Sequence, residues 1–144
     1  MPIKRGHVRS PETSFVDSII SNFRNQDRCF LIVNASLPRQ PIIYCSDRLC
    51  TLFGYSKDEI LSKSSDILLA TTTNNAIDLS VYMKVLLQQA ECKKTRLKYV
   101  KKEGYEFDAI VTITPVTSAH GTIALFVFEF IDEDNQLYLM GMYT

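Results

Sequence analysis

Pro41-Ile42-Ile43-Tyr44-Cys45-Ser46-Asp47-Arg48-Leu49-Cys50-Thr51-Leu52-Phe53-Gly54-Tyr55-Ser56-Lys57-Asp58-Glu59-Ile60-Leu61 encodes three local structures almost without linkers. Ile42 to Cys45 is β-branched and aromatic, which favours a strand. Ser46 or Asp47 can cap a helix, since either side-chain oxygen can accept from a free first-turn amide. Leu49, Leu52 and Phe53 give that helix one apolar face. Gly54 ends it, because a left-handed terminal residue costs glycine least. Ser56-Lys57-Asp58-Glu59 has the spacing of a capping box, so a second helix starts at once.

Outward from this block, Cys29 to Val33 is a continuous apolar run that predicts a strand buried on both faces. Leu37 to Pro41 is a turn. On the far side, residues 62–73 are rich in serine and threonine, with a helical turn expected near Asp66–Leu69. Asn74 or Asn75 caps a longer helix to about Ala90, with Ile77, Val81, Tyr82, Val85, Leu86 and Gln89 toward the core. The last third reads as hairpins. Thr95–Lys101 is a strand and Lys102-Glu103-Gly104 a tight turn. Tyr105, Phe107, Ala109, Val111 and Ile113 alternate with more polar neighbours and mark one buried face. Ser118 to Gly121 is the next turn, and Ile123 to Phe128 is apolar on both faces. Ala124, Phe126, Phe128 and Phe130 are expected on one side of it, and Ile123, Leu125 and Val127 on the other. The order is α+β, with short helices against one sheet.

At the amino end, residues 1–12 hold Lys4, Arg5 and Arg9 with little to bury and read as a mobile basic tail. Phe15, Val16, Ile19, Ile20 and Phe23 recur at helical spacing within 13–24; Thr13 or Ser14 is the N-cap, and Asp17 can close a box with Ser14. This amphipathic helix must cover something apolar. The division is therefore 1–28 as an amino-terminal cap, 29–132 as one folded domain and 133–144 as the start of a linker.

The chain has 144 residues, is 46% hydrophobic and carries no net charge. That suits one domain and gives no general case for nucleic-acid binding. The four cysteines, Cys29, Cys45, Cys50 and Cys92, lack the paired spacing of a zinc site and read as free thiols in a reducing compartment. No apolar run approaches the roughly 20 residues of a membrane helix, and no signal peptide is legible. Phosphate-loop, dinucleotide, zinc-protease and nucleophile-elbow motifs are absent from the sequence. Asp58-Glu59 sits where it favours a helix dipole, and His120 lies in a hairpin turn. No nucleophile–base–orienter set is legible, so the reading is of a non-enzyme.

The 41–61 block resembles the PAS fold family, in which a strand followed by a Ser/Asn-Asp pair, a Gly-Tyr and Ser-x-x-Glu recurs. Within that family the chain is most similar to the amino-terminal PAS domain of ether-à-go-go-class voltage-gated potassium channels, especially the ether-à-go-go-related subgroup. Met1 to Val8, the 13–23 helix, and Ile32-Val33-Asn34-Ala35-Ser36 followed by Ile42 to Asp47 carry the narrower match. Over 62–70 the chain departs from the family's Cys-rich stretch. The resemblance implies a five-stranded antiparallel sheet with its first and last strands central. It implies a cytoplasmic regulatory domain of a plasma-membrane channel, homotetrameric as a whole, that slows closing. Docking is expected on the channel's cyclic-nucleotide-binding-homology domain, with possible contact to a membrane-proximal linker. Phe30, Ile32, Ile43, Tyr44 and Lys57 match the docking positions. Lys4, Arg5 and His7 match a tail that acts on gating, together with the cap helix. Flavin-binding members use a reactive Cys where this chain has Ser64-Ser65-Asp66-Ile67, and haem-binding members a His that 75–90 lacks, so no cofactor is expected. The alternative is a ligand-sensing PAS domain of a signalling kinase, cyclase or transcription factor. Because the 13–24 helix is short, an exposed remnant including Phe30, Ile32, Ile43 and Tyr44 is expected on the outer sheet face.

Overall fold

The computed structural model describes residues 17–18, 20–21, 28–70, 73–75, 79, 82–84 and 94–132. Five strands form one antiparallel sheet: β1 (Phe30–Asn34), β2 (Ile42–Cys45), β3 (Lys94–Val100), β4 (Glu106–Thr117) and β5 (Ile123–Asp132). Their spatial order is β2-β1-β5-β4-β3, so the two strands read as buried on both faces are neighbours near the middle. Between β2 and β3 come α1 (Asp47–Phe53), α2 (Lys57–Ile60) and a 3-10 turn (Ser65–Leu68).

The boundaries follow the local chemistry. Ser46 caps α1 by accepting from the Leu49 amide, and Gly54 ends it at φ 82°. Ser56 and Glu59 close the capping box reciprocally, with the Ser56 amide donating to Glu59 Oε1 at 2.9 Å. Asn74 does something other than cap. Its amide donates to the carbonyls of Ala70 (2.7 Å) and Lys98 (2.8 Å), and its Oδ1 accepts from the Lys98 amide at 2.6 Å. It stands in for a strand residue along the edge of β3, and the helix starts beyond it, where the Leu79 amide donates to the Asn75 carbonyl. The opposite edge is met by the 62–63 loop: Ile42 donates to the Lys63 carbonyl and accepts from the Ser62 amide.

One face of the sheet holds the core. Leu31, Val33, Ile42, Cys45, Tyr99, Val111, Ile113, Phe126, Phe128 and Phe130 pack there with Leu49, Phe53, Ile60 and Leu68 from the helical segments. Phe53 is central, its ring meeting Tyr99 and Phe130 edge-on at 5.9 and 5.6 Å, the geometry that aromatic quadrupoles favour. The other face carries a smaller cluster of Phe30, Ile32, Ala124, Leu125 and Val127, against which Ile20 packs. Residues 17, 18, 20 and 21 are helical. Phe15, Val16, Ile19 and Phe23, like Ile77, Val81, Val85, Leu86 and Gln89, lie outside the described residues.

Further expectations need correction. Phe30 and Ile32 are not exposed; they are 1% and 0% accessible, because the outer face of the central strands is covered rather than open. Tyr105 is 61% exposed instead of buried, because it precedes β4 in the hairpin turn, beyond the last β3–β4 pair Val100↔Glu106. Ala124 leaves the face of Phe126 and joins the outer cluster, and Ile123 leaves the face of Leu125 and Val127 and packs against the core. Pairing passes from Val116↔Leu125 to Thr117↔Ile123, so Ala124 is an extra residue in a bulge, and the alternation breaks there.

Strand β4 continues to Thr117 through Pro115. Pro115 pairs with Phe126 of β5, and the β3–β4 pairing among the described residues ends at Lys94↔Thr112.

Candidate functional site

A second bulge builds the site. Along β1 and β2 the register runs Ile32↔Tyr44 and then Val33↔Ile42, skipping Ile43. Ile42 and Cys45 consequently both face the core, while Ile43 is turned out and 41% exposed. Tyr44, half-buried beside it, lays its ring against Phe30 at 5.5 Å and 32°. Two consecutive side chains thus reach the outer surface of one strand, which strict alternation forbids.

The two helix starts add charge. Lys57 opens α2, and its Nζ lies 2.9 Å from Asp47 Oδ1 at the start of α1 and 5.8 Å from the Tyr44 ring centroid. The Asp47 hydrogen bond holds the Lys57 ammonium above its ordinary range, so this cation stays charged throughout neutral pH. Lys57 is exposed, and so the pair adds little stability. Phe30, Tyr44 and Lys57 therefore form a connected stack from buried ring to solvent, with Ile43 alongside. Ile32 lies beneath in the outer cluster. Lys4, Arg5 and His7 lie outside the described residues.

Two further regions carry polar side chains or space. On the outer face, Arg96 and Lys98 both bind Asp108, at 3.2 and 3.0 Å, so the basic run is partly neutralised on β3, the sheet edge where lysines discourage strand pairing. A groove of about 590 Å³ lies between the β1–β2 loop and the segment holding Tyr82, lined by Leu37, Arg39, Ser65, Leu79, Tyr82 and Met83. At its floor the Tyr82 and Ser65 hydroxyls are 3.0 Å apart, and burial pushes the Tyr82 phenol up to about 12. Among the described residues no cluster of three metal-ligating side chains occurs.

Sequence reasoning missed Asn74 as an edge mimic and the Asp47–Lys57 pair. The pair was legible only as two helix starts close in sequence; that they face each other depends on the turn at Gly54.

The geometry can be set beside known proteins. The PAS domain family matches residues 27–134. The chain belongs to the PAS domain family. This PAS domain is 37% identical over 134 residues to the voltage-gated inwardly rectifying potassium channel KCNH6 of Rattus norvegicus, covering 92% of this chain and 14% of the channel. The chain thus spans a small part of the curated relative it matches. Among solved structures, the PAS domain from the fruit-fly ELK potassium channel superposes with a TM-score of 0.75 at 28% identity, over 82% of this chain and 96% of that one. A light-oxygen-voltage domain shares the fold at a TM-score of 0.73 and 20% identity, over 88% of this chain and 94% of the other. Among the described residues no helix is long and apolar enough to cross a membrane.

Proposed function

We propose that this PAS domain is a cytoplasmic regulatory domain of a voltage-gated potassium channel and slows its closing by docking on the channel's cyclic-nucleotide-binding-homology domain. The observation that carries the reading is the Ile43–Tyr44–Lys57 surface: an outward aliphatic and an aromatic side chain beside an exposed cation, on a domain whose relatives are such channels. An apolar patch with an exposed ion pair, Lys57–Asp47, at its rim is the composition of a protein interface. Phe30 and Ile32 act from beneath, Phe30 by supporting the Tyr44 ring. Lys4, Arg5 and His7 act on gating, together with the cap helix Phe15, Val16, Ile19, Ile20 and Phe23, in a homotetrameric channel.

The test is binding of folded variants to the isolated C-terminal domain, with channel closing kinetics alongside. Tyr44→Ala is expected to weaken binding by more than about 2 kcal/mol, as truncation of an aromatic anchor does. Lys57→Glu weakens it by charge reversal with little loss of fold. Both variants folding normally and binding like the parent overturns the reading.

The groove beside Tyr82 favours a second reading, a small-ligand sensor. It requires a ligand that raises the melting temperature and is displaced by filling the groove, for example with Ser65→Phe.

A further inference from the structure

Cys45 is the last residue of β2, and Cys50 lies one turn into α1. Their Sγ atoms are 3.9 Å apart. Cys45 is buried and Cys50 is half-buried at the surface of the core. A disulfide needs its sulfurs about 2.05 Å apart, so closing the pair requires a relative movement of roughly 2 Å. Rotation of Cys50 about its side-chain bonds on a short helix supplies movement of that size. We propose that Cys45 and Cys50 are a modification site at which hydrogen peroxide, or a peroxide of that class, forms a reversible intramolecular disulfide.

The order of steps follows from accessibility. The Cys50 sulfur attacks one peroxide oxygen and the O–O bond breaks. The departing hydroxide takes the former thiol proton as water, leaving Cys50 as a sulfenic acid. Cys45 is shielded from the oxidant. Burial, and then the neighbouring Cys50, push its thiol up to about 12, so it is a poor first target. Its sulfur is nevertheless the nucleophile at hand. It attacks the Cys50 sulfur, the S–O bond breaks, and hydroxide leaves with the Cys45 proton as a second water. Two thiols lose two electrons in total, and one peroxide is reduced to two waters. The loop closed is short, so the bond constrains the unfolded chain weakly and is open to reduction by ordinary thiols.

The sequence makes the test direct, because trypsin separates the four cysteines into the peptides 29–39, 40–48, 49–57 and 85–93. The purified protein is treated with hydrogen peroxide, blocked with N-ethylmaleimide, digested without reductant and weighed. The expected product is peptide 40–48 joined to 49–57, lighter than their sum by two hydrogen atoms and lost on adding dithiothreitol. In Cys45→Ser, which is isosteric, Cys50 should instead accumulate as a sulfenic acid trapped by dimedone. A Cys50 that proceeds to sulfinic acid in the parent protein without the 40–48 link overturns the proposal. So does a link from 49–57 to 29–39, to 85–93 or to a second chain in place of the expected one. Both readouts are on the unaltered protein, so misfolding of the variant leaves the decision intact.

Discussion

Ser46 holds Phe30 by two hydrogen bonds while capping α1: its amide donates to the Phe30 carbonyl at 2.9 Å, and its Oγ accepts from the Phe30 amide at 3.1 Å. The same oxygen accepts from the Leu49 amide at 3.3 Å. A single hydroxyl therefore joins the start of β1 to the start of α1, and all three groups are buried.

Ser46→Ala should cost more than an ordinary cap. Loss of the cap contributes about 1 kcal/mol, and the Phe30 amide left buried without that partner adds about 1–3 kcal/mol. Ser56→Ala removes an exposed cap and should cost roughly 0.5–2 kcal/mol. Urea midpoints at constant slope rank the two; equal midpoints refute the dual role of Ser46.

Gly54→Val tests the α1–α2 junction. Gly54 sits at φ 82°, and a Cβ there would meet Lys102 Cβ at an ordinary 3.9 Å. The penalty is then conformational, at least about 1–2 kcal/mol for a β-branched residue in the left-handed region. Gly54→Ala should destabilise less, and Gly54→Asn least. A Val variant with the parent's melting temperature contradicts this.

Much of the fold was legible because its signals are local. Gly54, the Ser56–Glu59 box and the apolar alternation of Phe107 to Ile113 act within a few residues. What was not legible depends on pairing register. Two skipped residues, Ile43 and Ala124, shift which side chains face outward, and no spacing rule marks them. The exposure expected for Phe30 and Ile32 failed for a related reason: an apolar outer face was readable, but the extent of its cover was not. For the candidate site, Ile43, Tyr44 and Lys57 were readable as residues, and their meeting required the bulge and the Gly54 turn.

Tyr99 and Tyr82 should respond oppositely to losing a hydroxyl. Among the described residues Tyr99 Oη is buried with no hydrogen-bond partner, and burial raises its phenol well above the usual range. Tyr99→Phe removes a desolvated group without vacating ring volume and should stabilise by on the order of 1 kcal/mol. Tyr82→Phe deprives Ser65 of its partner and should destabilise by about 1–2 kcal/mol. Thermal melts of both variants check the sign; the same sign in both is the failing result.

Glu59 supplies a pH dependence. Its hydrogen bond with Lys102, at 2.5 Å, and then that with the Ser56 amide hold its carboxyl below the ordinary 4.5. A depressed acid contributes stability above its unfolded value and loses it as pH falls through the folded value. Stability attributable to this group should therefore be present at neutral pH and decline below about 4.5. Glu59→Gln retains an acceptor for Ser56 and should flatten that part of the profile. An unchanged slope below this pH in Glu59→Gln removes Glu59 as its source.

The Asn74–Lys98 and Ile42–Lys63 hydrogen bonds have a bearing on how other chains can approach. A sheet recruits a foreign strand through unsatisfied backbone groups along its border. Here the groups of Ile42 on one border and Lys98 on the other are already engaged by irregular segments of the same chain. An incoming strand gains nothing at those positions until it evicts Asn74 or the 62–63 loop, exchanging existing bonds for equivalent ones. Recognition by edgewise annealing is thus handicapped from the outset, as is self-templated aggregation. Any partner is steered instead to side chains, where sequence identity rather than generic backbone decides what binds.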